Sequence, residues 1–125
     1  MARLLVTDDD PIQLKLRKMV LQAAGHDVAV AGDCPQTLRA LEGQAADVLI
    51  MDLRLPNERG DPDARCGMAL IRQIHDRGCR TKVIVLSGWP EELYGSPEES
   101  MVGRVLVKPV PPAELLGAIK ELTDG

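Results

Sequence analysis

"LLVTDDDPIQ", residues 4–13, runs an apolar segment straight into three consecutive carboxylates and a proline. The segment lacks the apolar–polar alternation of a half-exposed strand, so it reads as a strand buried on both faces. Two carboxylates about 4 Å apart repel by roughly 4 kcal/mol at an effective dielectric near 20. Asp8, Asp9 and Asp10 therefore need a cation among them, or must point in different directions. Asp10 stands directly before Pro11, which suits an N-cap followed by proline at the first helical position. That assignment turns Asp10 aside and leaves Asp8 and Asp9 at the end of the strand. Over the helix of residues 11–24, Ile12, Leu16, Met19, Val20 and Ala23 recur at helical spacing and are expected to face the core.

The alternation continues along the chain. Strand patterns occupy residues 26–31, 47–51, 82–86 and 104–107; helical patterns occupy 36–42, 68–76 and 112–122. Gly25, Gly43 and Gly78 stand where three helices stop, as glycine does after a last helical turn. Unbroken apolar strands separated by helices imply an α/β fold. The expected architecture is a doubly wound, flavodoxin-like five-stranded parallel sheet of order 2-1-3-4-5, with right-handed crossovers. The stretch "GWPEELYGSPEESMVG", residues 88–103, is the irregular link, because Gly95 and Pro97 interrupt any continuous helix there. The fourth helix is expected to be short and late, opened by Ser96-Pro97-Glu98-Glu99 as a capping box.

Bulk properties narrow the function. A chain of 125 residues with 45% hydrophobic and 27% charged residues predicts one domain, residues 1–125, with a full core. The net charge of −4 argues against a nucleic-acid surface. No apolar run is long enough to span a membrane, and no signal-peptide pattern opens the chain. Cys34, Cys66 and Cys79 have no metal-ligand or redox spacing, which fits reduced thiols in a cytoplasmic protein. With no Phe, one Trp and one Tyr, the core must be aliphatic. His26 and His75 have no acidic partner at useful spacing and are assigned no chemistry.

In an open parallel sheet, ligands bind beyond the carboxyl ends of the strands, where the strand order reverses. Those ends carry Asp8 and Asp9, Asp52, Ser87-Gly88 and Lys108-Pro109. With order 2-1-3-4-5 the reversal lies between the first and third strands, so Asp8, Asp9 and Asp52 converge. A few carboxylates shared with water and phosphate oxygens suit Mg²⁺. A facing lysine can neutralise a phosphate, and the Ser87 hydroxyl and Gly88 amide can donate to a phosphoryl oxygen. An aspartate can itself accept a phosphoryl group, forming an acyl phosphate with metal assistance.

Taken together, "LLVTDDDP", "DVLIMDLRLP" around Asp52, "VIVLSG" ending at Ser87-Gly88 and "VLVKP" at Lys108-Pro109 resemble the response-regulator receiver domain of two-component signalling. The resemblance implies that Asp52 accepts a phosphoryl group from a histidine kinase or histidine phosphotransfer protein. It implies that Asp8, Asp9, Asp52 and the Arg54 backbone carbonyl hold Mg²⁺, that Ser87 is the switch hydroxyl, and that Lys108 pairs with the phosphate beside Gly88. It also implies a cis bond before Pro109 and no enzymatic activity beyond slow autodephosphorylation. The downstream protein target is expected on the face formed by the fourth helix, fifth strand and fifth helix.

The sequence departs from that pattern in three places. The connection "PNERGDPDARCG", residues 56–67, carries about seven residues beyond the usual length and could be a lid, a partner contact or a plain surface insertion. Val105 replaces the aromatic expected three residues before Lys108, with Trp89 and Tyr94 the only aromatics that could substitute. Arg54 and Trp89, each two residues past Asp52 and Ser87, are bulky enough to exclude an attacking water, which predicts slow loss of the phosphoryl group. Two rivals remain at this point. One is a phosphate-independent pseudo-receiver. The other is a phosphatase, since Asp8-x-Asp10 also resembles the nucleophile motif of haloacid-dehalogenase-type enzymes.

Overall fold

The computed structural model describes residues 2–124. Five strands, β1 (Arg3–Thr7), β2 (Asp27–Ala31), β3 (Val48–Asp52), β6 (Lys82–Ser87) and β7 (Arg104–Val107), form one parallel sheet of order β2-β1-β3-β6-β7. This is the expected 2-1-3-4-5 order. The two intervening strands, β4 (Leu55–Pro56) and β5 (Pro62–Asp63), form a separate antiparallel hairpin.

Side-chain parity sorts the core into two layers. Leu4, Val6, Val48, Ile50, Ile84, Leu86 and Leu106 pack on one face of the sheet. They meet Leu21 of α1 (Pro11–Ala23) and Leu115, Ala118 and Ile119 of α4 (Pro112–Asp124). Leu5, Leu49, Met51, Val83 and Val85 point to the other face. There they meet Leu38 and Leu41 of α2 (Cys34–Gly43) and Leu70, Ile71 and Ile74 of α3 (Ala64–Asp76). Each such side chain contributes about 1.5–3 kcal/mol on full burial. Register keeps the strand ends flush, with Thr7 beside Met51, Asp52 beside Leu86, and Ser87 beside Val107.

The apolar stripe expected for α1 is overturned. Ile12, Leu16, Met19 and Ala23 face outward and Val20 is half-buried, while Leu14 and Leu21 turn inward. The helix carries two apolar stripes, and the inner one is the stripe that brings Arg17 against Asp8 (2.6 Å). Asp10 caps the helix as expected, accepting from the Ile12 N–H at 2.9 Å with Pro11 at the first position. Helices α2 and α3 start earlier than periodicity indicated, because Asp33 and Asp63 cap them by accepting from Gln36 N–H (2.8 Å) and Arg65 N–H (2.9 Å).

The inserted connection is ordered locally. Asn57 Oδ1 accepts from the N–H groups of Arg59 and Asp61, and Gly60 sits at φ +83° in the hairpin turn. Residues 88–103 contain only two 3₁₀ turns, Pro90–Glu92 and Pro97–Met101, so the fourth helix is shorter still than expected. Its capping box does not form: the Ser96 hydroxyl donates to the Leu93 carbonyl, and Glu99 accepts from the Gly95 N–H. With Gly95 at φ +79° and Pro97 following, no helical ladder can run through. The segment is held instead by fully buried Leu93 and by Glu98, a buried carboxylate paired with Arg72 of α3. Among the described residues no helix is long and apolar enough to cross a membrane.

Helix α3 lies very close to the chain that leaves β3. A Cβ added at Gly67 would stand 2.1 Å from the Leu53 carbonyl oxygen, an immovable backbone atom. Gly117, in contrast, sits inside α4 with nothing within 4 Å of such a Cβ. Gly67→Ala is therefore expected to destabilise by about 2 kcal/mol or more, and Gly117→Ala to stabilise by about 0.5–1 kcal/mol. Urea unfolding of both variants checks the opposite signs.

Candidate functional site

Flush strand ends place the polar residues of four segments on one edge. Asp8, Asp9 and Asp52 each present a carboxylate oxygen within 4.8 Å of the others. Asp8 and Asp52 are 2% and 7% exposed, whereas Asp9 is open to solvent. The Lys108 ammonium forms an ion pair with Asp52 Oδ1. That buried oxygen accepts no regular hydrogen bond from the described residues, so it has capacity left for another electropositive partner. The Lys108–Pro109 bond is cis, as the resemblance implied. The Lys108 N–H donates to the Ser87 carbonyl (2.9 Å), which links β7 to the end of β6.

Both oxygens of Asp8 are engaged: Oδ1 accepts from the Asp10 N–H (3.0 Å) and Oδ2 from Arg17 Nη1 (2.6 Å). The Ser87 Oγ accepts from the Trp89 N–H (2.9 Å), leaving its own proton to donate. Gly88 follows with open space at its Cβ position, so another group can approach its backbone closely. Beyond Asp52, the Arg54 guanidinium stacks 3.7 Å from the centroid of Trp89, and its Nε donates to Glu92 Oε1 at 2.8 Å. Val105 is half-buried against the second core layer.

Four predicted residues thus meet, Asp8, Asp9, Asp52 and Lys108, and Ser87 lies next to them, joined to Lys108 through its carbonyl. Asp10 does not join them. Its use as a helix cap removes the second aspartate required by the phosphatase reading. Arg17 and Glu92 belong to the neighbourhood but had no sequence signal. The outward stripe on α1 concealed Arg17, and Glu92 lies in a segment without periodicity.

Electrostatics follow from crowding. Burial pushes the Asp52 carboxyl up to about 6; the Asp8 charge adds to that, and Lys108 opposes it. Burial also pushes on Asp8, but the Asp10 N–H, Asp52 and Arg17 outweigh it and hold that carboxyl below the ordinary range. Asp9 is raised, by partial burial and by the neighbouring Asp8 and Asp10 charges. A cluster of three carboxylates against two cations is suited to a small divalent ion.

Comparison with known proteins agrees with this geometry. The family model described as "Response regulator receiver domain" matches residues 4–120. The chain belongs to that family. The transcriptional regulatory protein AruR of Pseudomonas aeruginosa is 29% identical over 131 residues, covering 96% of this chain and 48% of AruR. A response regulator receiver domain protein from Clostridium thermocellum superposes with a TM-score of 0.85 at 25% identity, covering 99% of this chain and 95% of the other. The response regulator TrrA from Thermotoga maritima, solved with Mg²⁺ and BeF, shares the fold (TM-score 0.82, 24% identity, 98% and 99% covered). This receiver domain spans less than half the length of AruR. Its acidic pocket fits the phosphoacceptor site of the family.

The raised Asp52 carboxyl has a measurable consequence. An unfolded aspartate ionises near 3.9, so between about pH 4 and 6 the folded state holds more protons than the unfolded one. This stabilising contribution is lost as pH rises through that window. Asp52→Asn is expected to melt above wild type at pH 7.5, with the gap closing below pH 5. Thermal melts across this range check it; a pH-independent gap would contradict the assignment.

Proposed function

We propose that residues 1–125 are one receiver domain in which Asp52 is the phosphoacceptor. The Asp52 carboxylate attacks the phosphorus of a phosphohistidine on a histidine kinase or phosphotransfer protein. An O–P bond forms as the P–N bond breaks, and the imidazole leaves. The observation that carries this reading is the contact between the buried Asp52 carboxylate and Lys108 inside the acidic cluster. A solvated acidic turn would not bury Asp52, and a phosphate-independent module would have no use for the paired lysine.

Asp8, Asp9, Asp52 and the Arg54 carbonyl would hold Mg²⁺, which when bound neutralises charge on the transferring phosphoryl oxygens. Lys108 moves its ammonium from the carboxylate to the phosphoryl group. Ser87 turns its free proton toward a phosphoryl oxygen, and the Gly88 amide donates beside it. The bulk of Arg54 and Trp89, two residues past Asp52 and Ser87, excludes an in-line water, so the acyl phosphate persists for minutes to hours. Output then runs through the segment before β7, through β7 itself and through α4. A cytoplasmic location fits the three free thiols. The acidic net charge supports a protein target rather than nucleic acid for this domain.

The upstream partner has a natural landing place. Exposed Ile12, Leu16 and Met19 line the outer face of α1, which begins one residue after Asp10. A donor protein covering that face would present its histidine beside Asp52.

Acetyl phosphate with Mg²⁺ is expected to add one phosphoryl mass to wild type and none to Asp52→Ala, with Lys108→Ala strongly slowed. Intact mass measurement decides it, and an unmodified wild type would return the pseudo-receiver reading. Leu16→Glu is expected to slow transfer from a phosphohistidine protein at least several-fold while leaving the acetyl phosphate reaction unchanged. Parallel time courses with the two donors check this.

A further inference from the structure

Val105 leaves this domain without a ring to swing inward beside Ser87, yet residues 88–93 are wired to the phosphorylation edge by three contacts. The Trp89 N–H donates to Ser87 Oγ. The Arg54 guanidinium lies flat on the Trp89 indole, 3.7 Å from its centroid. The same guanidinium holds Glu92 through Nε at 2.8 Å. Leu53 and Leu55 pack with Leu49 and Met51 in the second core layer, and Arg54 lies between them on the bend that follows Asp52. Arg54 is thus the cation nearest in sequence to Asp52, and its present partners both belong to the 3₁₀ turn Pro90–Glu92 and its leading residue.

We infer that Arg54 relays the phosphorylation state of Asp52 to this turn by exchanging Glu92 for the phosphoryl group. The inference rests on Asp52 being the phosphoacceptor. A phosphoryl group brings a charge of about −1.5 to −2 and three strong acceptor oxygens, whereas Glu92 offers one partly solvated carboxylate. A guanidinium can meet two oxygens of the tetrahedral, nearly doubly charged phosphoryl group through two parallel N–H groups, where it makes one Nε contact to Glu92. As Arg54 leaves, Trp89 loses the cation on its face and Glu92 loses its partner. The turn then keeps Leu93, buried beneath it, and the Trp89 link to Ser87. Ser87 moves toward the same phosphoryl group and pulls on that link. The segment before β7 is freed at its N-terminal end, while Glu98 and Arg72 still hold its C-terminal end against α3. Arg54 is a positioning residue here, and Glu92 is its resting partner.

Coupling of this kind is reciprocal. Whatever competes with the phosphoryl group for Arg54 must weaken its binding, and removing the competitor must strengthen it. Beryllofluoride with Mg²⁺ serves as the probe. Its binding is read by ¹⁹F NMR, and the turn is read by the emission of Trp89, the only tryptophan in the chain. In wild type, binding is expected to change Trp89 emission. Glu92→Gln is expected to bind beryllofluoride about 5-fold more tightly or better, with free-state emission already displaced toward the loaded value. Arg54→Ala, at beryllofluoride concentrations that ¹⁹F NMR shows to saturate it, is expected to lose most of the emission change; Arg54→Lys restores part. Full emission response in Arg54→Ala, or unchanged affinity in Glu92→Gln, overturns the relay while leaving the phosphoacceptor assignment intact. Failure of wild type to bind beryllofluoride overturns both.

Discussion

Mutual repulsion among Asp8, Asp9 and Asp52 is the constraint around which this edge of the sheet is organised. Three carboxylate oxygens within 4.8 Å of one another are tolerable only because Lys108 and Arg17 bring two positive charges to the same place. Those charges arrive from opposite sides, one on the turn after β7 and one on α1. Neither would reach the cluster if the parallel register slipped by a residue, since a one-residue slip inverts every side chain. The apolar parity that builds the two core layers is therefore also what aligns the polar strand ends. Packing and chemistry share a single register.

The balance at this edge remains incomplete, and that incompleteness is useful. Asp52 is pushed up to about 6 despite its lysine, and Asp9 is raised as well. A site fully neutralised by its own side chains would have little reason to accept a divalent cation or a phosphoryl group. Here three clustered carboxylates face two cations, so the folded chain holds negative charge that its own side chains do not offset. Removing one cation would leave a buried carboxylate without its partner, which is far costlier than losing an exposed pair.

The segment between β6 and β7 illustrates a different solution to attachment. Where an amphipathic helix would bury a stripe, Gly95 and Pro97 permit only two 3₁₀ turns. One buried leucine and two arginine–glutamate pairs hold them, to Arg54 at one end and Arg72 at the other. Ion pairs are more readily exchanged than a packed apolar face, because a new charge can compete for them directly. This places a segment held largely by ion pairs beside the acidic cluster. The inserted hairpin of β4 and β5 is held by its own turn chemistry, with Asn57 as the hub, and Gly67 beyond it keeps α3 tight against the outgoing chain of β3.

Much of this was legible in the residues. Continuous apolar runs gave five strands, of which β1, β3 and β6 are buried while β2 and β7 form the sheet's edges, and the acids and lysine at their ends meet because a parallel sheet collects strand termini on one edge. Asp10 before Pro11 announced its cap by local chemistry alone. Other features were decided only in three dimensions. Helix α1 carries two apolar stripes, and periodicity selected Ile12, Leu16 and Met19 where the fold buries Leu14 and Leu21; the contact of Arg17 with Asp8 goes with the buried stripe. The stacking of Arg54 on Trp89 and its pairing with Glu92, 38 residues away, left no trace in spacing, since nothing local requires them. Sequence determined what each segment prefers and which groups reach the sheet edge. Tertiary structure decided which of two permissible faces turned inward and which charges met, because those choices depend on partners distant in the chain.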